Sequence, residues 1–179
     1  MKYLSLEVRN WGPYRGKHSL DLTTSPGKPV VLIFGENGKG KTSLTDAIRW
    51  CLYGSEGSER SGARYANRDE LSKGAPFDVE VKLRFSHDID KPDEDPNNHE
   101  VFELRRSFVA KPDERSKKFK VMETDQSASL LIDGKPVDAQ VISSWVEALM
   151  PREMSRFFIF EANQLFPIKD EESTHLSRH

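Results

Sequence analysis

The chain is poor in cysteine. Cys51 is the only one among 179 residues, so no disulfide can form within the chain and a site built on clustered thiolates is excluded. Histidine is also sparse, and His18, His87 and His99 lack the close spacing of metal ligands. Long apolar runs are missing. None approaches the roughly 20 residues that a membrane helix needs, and the opening residues 1–20 are too interrupted for a secretory leader. Excess charge of either sign is absent too: the net charge is -2, which gives no overall attraction to nucleic acid but leaves room for a local basic patch. With 36% hydrophobic and 31% charged residues, a single globular domain with its own core is expected. A reducing, cytoplasmic setting without a membrane fits these absences.

The hydrophobic pattern predicts strands and two helices. Residues 3–9 and 18–22 show the two-residue period of strands, separated by the turn-rich Asn10-Trp11-Gly12-Pro13-Tyr14-Arg15-Gly16. Val30-Val31-Leu32-Ile33-Phe34 is an unbroken apolar run, the mark of a strand buried on both faces. Leu44, Ala47, Ile48, Cys51 and Leu52 recur at helical spacing before Gly54, a residue suited to ending a helix. Residues 55–76 read as an irregular segment. Val79, Val81, Leu83 and Phe85 alternate with charged residues, and residues 101–109 resume as a strand after an exposed loop. Shorter strands are expected over 119–123 and 129–132, with Asp133-Gly134 as a hairpin turn. Asp138 can cap a helix carrying Val141, Ile142, Trp145, Val146 and Leu149. Phe157-Phe158-Ile159-Phe160 reads as one more buried strand, and residues 169–179 as a polar tail.

Between the apolar run and the first helix stands Gly35-Glu36-Asn37-Gly38-Lys39-Gly40-Lys41-Thr42-Ser43. It satisfies G-x-x-x-x-G-K-[ST] through Gly35, Gly40, Lys41 and Thr42. Each part has a reason. Glycines let the backbone curl so that several N–H groups point at one centre, and the following helix N-terminus favours an anion. Lys41 supplies a point charge for β and γ phosphate oxygens, and Thr42 a hydroxyl for Mg²⁺. Gly35, Asn37, Gly38, Lys39, Gly40, Lys41, Thr42 and Ser43 are therefore the candidate nucleotide-binding residues, with ATP and Mg²⁺ as the expected ligands.

The residues around this loop resemble the SMC, SbcC and RecF group of ATPases, which typically read G-x-N-G-x-G-K-[ST]-[ST]-L-x-[DE]-A-I. Here the stretch runs from Gly35 to Leu44-Thr45-Asp46-Ala47-Ile48, and Leu52-Tyr53-Gly54 closes it as in that group. The turn at residues 10–16 is similar to the group's N-F-G-P-Y-R-G. Ser155-Arg156-Phe157-Phe158-Ile159-Phe160-Glu161-Ala162-Asn163-Gln164-Leu165 is similar to the S-x-F-F-x-F-D-G-E-x-I of DndD, an SMC-like ATPase of DNA phosphorothioate systems.

The resemblance implies an α/β P-loop NTPase half-head of the ABC/SMC type, with a mixed sheet around the P-loop helix plus an antiparallel sheet. Residues 1–168 would form this N-terminal lobe. It implies that Arg15 lies near the nucleotide, and that one arginine among Arg60, Arg64 and Arg68, with Arg64 the choice, reaches the phosphates in cis. It also makes residues 161–164 the Q-loop, with Glu161 or Gln164 serving the metal. Glu161-Ala162-Asn163 departs from the Asp-Gly-Glu or Gln-Gly-Glu of the family, and the missing glycine bears on the loop's shape.

Hydrolysis in this group also needs an L-S-G-G-Q signature loop, a Walker B strand ending in Asp-Glu, and a switch histidine. Leu71-Ser72-Lys73-Gly74 lacks the second glycine and the glutamine, and Leu130-Leu131-Ile132-Asp133 is followed by Gly134 in place of Glu. The missing parts belong to a C-terminal half beyond a coiled coil, so the chain is expected to be half of a head. The implied partners are that C-terminal half, a second head in a homodimer, DNA, and accessory proteins of a DNA modification, phage-defence or repair system. A non-hydrolysing nucleotide-binding structural module is the alternative, and a small P-loop kinase a more distant one. Lys82, Arg84, Arg105 and Arg106, with Lys117, Lys118 and Lys120, form either a DNA-facing patch or an ordinary charged sheet face.

Overall fold

The computed structural model describes residues 1–54, 62–87, 99–112 and 121–159. Among the described residues, six strands form one sheet: β1 (Lys2–Trp11), β2 (Tyr14–Asp21), β3 (Phe77–His87), β4 (Glu100–Pro112), β5 (Val121–Ile132) and β6 (Lys135–Pro136). Their order is β2-β1-β3-β4-β5-β6 and every pairing is antiparallel. Four α-helices accompany them among the described residues: α1 (Lys41–Tyr53), α2 (Arg68–Leu71), α3 (Ile142–Leu149) and α4 (Arg152–Phe158). The fold is the α/β arrangement expected, a P-loop helix with an antiparallel sheet, but among the described residues no parallel pairing makes the mixed sheet expected around that helix.

The two-residue period sets the sheet's two faces. Leu6 and Val8 of β1, Val79, Val81, Leu83 and Phe85 of β3, and Phe102, Leu104 and Phe108 of β4 are buried on one side. Onto that face α1 lays Leu44, Ala47, Cys51 and Leu52, all buried. Phe85 and Phe102 oppose each other in the register and stack with ring centroids 5.1 Å apart, a pair worth about 0.5–1.5 kcal/mol beyond its buried area.

The opposite face is a ladder of cross-strand ion pairs. Glu7 binds Lys17 at 2.7 Å and Lys82 at 3.1 Å; Glu103 meets Lys82 at 3.8 Å and Arg84 at 3.6 Å; Glu80 holds Arg105. Arg106 points the other way, donating from Nε to Cys51 O at 2.7 Å and from Nη2 to Leu52 O at 3.2 Å, so it caps the C-terminus of α1. Lys82, Arg84 and Arg105 are thus matched by carboxylates and Arg106 serves a helix end, the arrangement of an ordinary charged sheet face. Lys117, Lys118 and Lys120 lie outside the described residues.

Three further expectations change. Residues 30–34 form no strand and are exposed, Leu32 at 69% and Phe34 at 85%. An apolar run of this kind needs a neighbour on each edge and a layer on each face, and among the described residues nothing pairs with it. Phe157 and Phe158 end a helix, α4, rather than a strand. Pro151 precedes its first turn, where proline's missing N–H costs nothing. Residues 121–132 form one strand instead of two short ones. The turn after it is as expected, with positive φ at Asp133 (48°) and Gly134 (76°), the pair of values a tight hairpin demands.

Candidate functional site

The phosphate loop sits against the turn between β1 and β2, and that turn is built around Asn10. Asn10 takes a positive φ of 52° at a register shift in the β1–β2 pairing, a conformation asparagine tolerates better than most residues. Its side chain closes the turn, with Oδ1 accepting from Gly16 N at 2.8 Å and Nδ2 donating to Asp78 O at 2.9 Å. Trp11 is wholly buried, and its indole N–H donates to Ser43 O at 2.8 Å in the first turn of α1. Tyr14 donates its hydroxyl to Gly40 O at 3.2 Å. The turn thereby fixes the start of the helix from below.

Gly40 shows how tight this fit is. It precedes α1 with φ of 97°, and a Cβ there would stand 2.5 Å from Pro13 Cγ and 3.1 Å from the Tyr14 ring. Only glycine satisfies both the left-handed backbone and the space. Gly38 also has a positive φ, 78°, but its Cβ position is open. The first turn of α1 contains no acidic residue and Gly40 provides no side-chain cap, so the first-turn N–H groups are left for an anion. Lys41 reaches back over the loop, its Nζ donating to Gly35 O at 2.6 Å and Glu36 O at 2.7 Å.

A second segment completes the cleft. Tyr65, at the end of the 3-10 turn Gly62–Tyr65, stacks on Trp11 at 4.5 Å and 12°. Gly12 N donates to Tyr65 O at 2.5 Å and Asn67 N to Asn10 O at 2.9 Å. Asn67 then does three things. Its Nδ2 donates to Gly12 O at 2.8 Å, and its Oδ1 accepts from Asp69 N and Glu70 N, both at 3.1 Å, capping α2. Residues 64–69 are thus strapped to the turn, and the turn to the loop. Between them lies a cleft of about 650 Å³ lined by Gly12, Pro13, Asn37, Gly38, Gly40, Lys41, Thr42, Ser43 and residues 64–69.

The cleft gathers most of the expected residues. Asn37, Gly38, Gly40, Lys41, Thr42, Ser43 and Arg64 line it. Gly35 lies beneath, holding Lys41 through its carbonyl. Lys39 and Arg15 do not line it: Lys39 is 3.9 Å from Glu36 at the surface, and Arg15 is bound to Glu70 of α2 at 2.7 Å. Lys73 and Arg15 together hold the Glu70 carboxyl below its ordinary range. Glu161 and Gln164 lie outside the described residues, as does Arg60. Tyr65, Ala66, Asn67 and Asp69 were not singled out from sequence. The signal for Asn67 was present, an asparagine two and three residues before Asp69 and Glu70, which is the pattern of a helix cap.

Comparison with known proteins identifies the setting of this cleft. A family model described as an AAA domain, AAA_23, matches residues 5–173. The chain belongs to that AAA domain family. Among curated proteins, the SbcC subunit of the nuclease SbcCD from Vibrio cholerae is 43% identical over 63 residues, 35% of this chain and 6% of the relative. Its counterpart from Treponema pallidum is 44% identical over 54 residues, covering 30% of this chain and 5% of the relative. The Staphylococcus aureus counterpart is 29% identical over 91 residues, 51% and 9% of the two chains. The chain therefore spans under a tenth of the length of these relatives. A solved structure from work on ATP-driven dimerization and DNA-stimulated activation of SMC ATPases superposes with a TM-score of 0.51 at 17% identity, covering 92% of this chain and 95% of the other. This AAA domain is similar in sequence to the SbcC subunits and shares the fold of the solved SMC ATPase structure. Among its described residues no helix is long and apolar enough to cross a membrane.

Proposed function

We propose that this domain binds ATP with Mg²⁺ in the cleft and serves as the N-terminal lobe of an SMC-like head that acts on DNA. The observation that carries the reading is the convergence of the phosphate loop, the 10–16 turn and Arg64 on one cleft. The residues fit the ligand. Gly40 leaves a cradle that a single Cβ would fill, and the uncapped start of α1 faces it. Lys41 exchanges its two loop carbonyls for phosphate oxygens. Thr42 offers its hydroxyl to Mg²⁺, and Arg64 a guanidinium to the phosphates. When bound, Mg²⁺ neutralises charge on the β and γ phosphates. Glu161 and Gln164 are the candidates to complete its shell.

The exposed residues 30–34 support the half-head. Five consecutive apolar residues ahead of the phosphate loop form a central strand once the C-terminal half of the head supplies its neighbours. Nucleotide then gates the meeting of two such heads, because a second head provides the signature loop. The narrower setting is cytoplasmic DNA sulfur modification of the DndD kind, or an allied defence or repair system, with its accessory proteins. It rests on the similarity of residues 155–165 to DndD.

Nucleotide binding and turnover by this chain, with and without Lys41→Ala, test the reading. The expected result is weak binding that Lys41→Ala abolishes, with little or no turnover. Robust turnover by the unaltered chain would sink the half-head. Binding indifferent to Lys41→Ala would sink the assignment of the loop.

A further inference from the structure

Three consecutive residues of the strap are buried: Tyr65, Ala66 and Asn67, the last only 3% exposed. Their neighbours on either side, Arg64 and Arg68, are exposed and line the cleft. The buried three are the anchor. Ala66 pairs with Trp11 as a single antiparallel bridge, framed by the bonds from Gly12 N to Tyr65 O and from Asn67 N to Asn10 O. The cleft therefore has two walls that carry cations. Lys41 stands on one, and the other brings two guanidinium groups against the single carboxylate of Asp69.

Neither the backbone nor the helix cap accounts for asparagine at position 67. Its φ of -62° and ψ of 127° suit any residue. Its Oδ1 caps α2 by accepting from Asp69 N and Glu70 N, and serine, threonine or aspartate would serve there too. What asparagine adds is the donor, Nδ2, which reaches Gly12 O at 2.8 Å. The partners fix which atom is which, since a carbonyl only accepts and a backbone N–H only donates. Gly12 in turn abuts the start of α1. A Cβ there would stand 3.2 Å from Ser43 Oγ, and Ser43 is two residues beyond Lys41. One amide thus joins the strap to the turn at the residue where the turn meets the phosphate-loop helix.

We propose that Asn67 is a positioning residue for the anion in the cleft: its amide donor sets the spacing between the wall that carries Lys41 and the wall that carries Arg64 and Arg68. The proposal rests on the reading of the cleft as a nucleotide site. Asn67 is buried and acts through the arginines rather than on the ligand. A polyphosphate met from both sides gains most when the two sides already stand at the right distance. A wall free to shift must be ordered as the ligand binds, and that ordering is subtracted from affinity. Without the amide donor the strap keeps its backbone bonds, its bridge and the stack of Tyr65 on Trp11, so the fold survives while the spacing loosens.

The test is titration of the chain with a fluorescent ATP analogue in excess Mg²⁺. It compares the unaltered protein, Asn67→Ser, Asn67→Thr, Arg64→Ala, the Asn67→Ser and Arg64→Ala pair, and Lys41→Ala, each checked for folding by urea unfolding. Serine keeps the capping oxygen but is too short to reach Gly12 O as well. Asn67→Ser is expected to weaken binding about fivefold, less than the about tenfold of removing a guanidinium outright. When Arg64 is already alanine the loss should shrink to about twofold, because one of the groups that Asn67 places is gone. An Asn67→Ser chain that binds as tightly as the unaltered one would overturn the proposal. So would an equal loss with and without Arg64, since Asn67 would then only support the fold. Should Asn67→Ser fail to fold, Asn67→Thr keeps the cap, fills more of the space and carries the same comparison. Lys41→Ala separates the two readings. If it binds as well as the unaltered chain, the nucleotide site itself fails; if it abolishes binding while Asn67→Ser changes nothing, the site stands and only the role of Asn67 falls.

Discussion

Replacing Gly40 by alanine should damage the site in a way that can be split into two parts. At φ of 97°, an L-residue is strained by about 1–2 kcal/mol. The added Cβ would also stand 2.5 Å from Pro13 Cγ and 3.1 Å from the Tyr14 ring, and overpacking of that kind costs about 1–3 kcal/mol. Gly40→Ala is therefore expected to destabilise by about 2–5 kcal/mol, a large share of the about 5–15 kcal/mol that holds a domain together. Gly38→Ala provides the comparison. Its φ is 78° but nothing lies within 4 Å of its Cβ position, so only the backbone strain of about 1–2 kcal/mol applies. Pro13→Ala removes the ring carbon that Gly40→Ala would strike, and the double variant should recover part of the difference. Recovery stays partial because the Tyr14 ring remains. Urea unfolding followed by tryptophan fluorescence measures the four variants against the unaltered chain, since Trp11 and Trp50 are both buried. If Gly40→Ala is no worse than Gly38→Ala, or Pro13→Ala recovers nothing, the turn does not press on the loop as described.

Three other outcomes follow from the same geometry. Arg64→Ala should weaken nucleotide binding by about tenfold, the size of one charge-assisted hydrogen bond, while Arg15→Ala, whose partner is Glu70, should leave affinity in calorimetric titration nearly unchanged. Phe34→Ser, at a position 85% exposed, should alter the unfolding free energy of this chain by under about 0.5 kcal/mol, whereas Leu83→Ala, fully buried, should cost about 2–5 kcal/mol; a large loss with Phe34→Ser would place residues 30–34 in the core. Hydrogen bonding from Lys17, helped by Lys82, holds Glu7 below its ordinary value of 4.5. Its contribution to stability is therefore present above pH 4.5 and fades as pH falls through the lower folded value. The difference in melting temperature between the unaltered chain and Glu7→Gln should shrink across that acid range, and a difference independent of pH would refute the ion-pair account.

The sequence revealed those parts of the fold whose cause is local. Strands β3 and β4 are legible because alternate residues face a core and a charged surface, and the hairpin turn because Asp133-Gly134 suits its backbone. The phosphate loop is legible because glycines, lysine and helix are consecutive. Residues 30–34 misled for a physical reason: an unbroken apolar run reports the burial a segment is suited to, and burial requires neighbours that the described chain does not contain. Residues 157–159 misled because a short apolar run has no period of its own, so helix and strand look alike. The strap of residues 64–69 was missed because it depends on contacts across long separations, Tyr65 with Trp11 and Asn67 with Gly12, which no local pattern announces.

Cys51 lies on the face of α1 that meets the sheet, its sulfur 3.4 Å from Leu104 O and 3.7 Å from Val81 O, and burial pushes its thiol up to about 12. As the chain's sole thiol, enclosed and un-ionised, it is closed to alkylating reagents while the helix rests on the strands. Its labelling rate is thus a clock for how often α1 lifts from its bed. Because anything that binds the closed form slows that clock, one mass-spectrometric time course can rank nucleotides and candidate partners without requiring any of them to react.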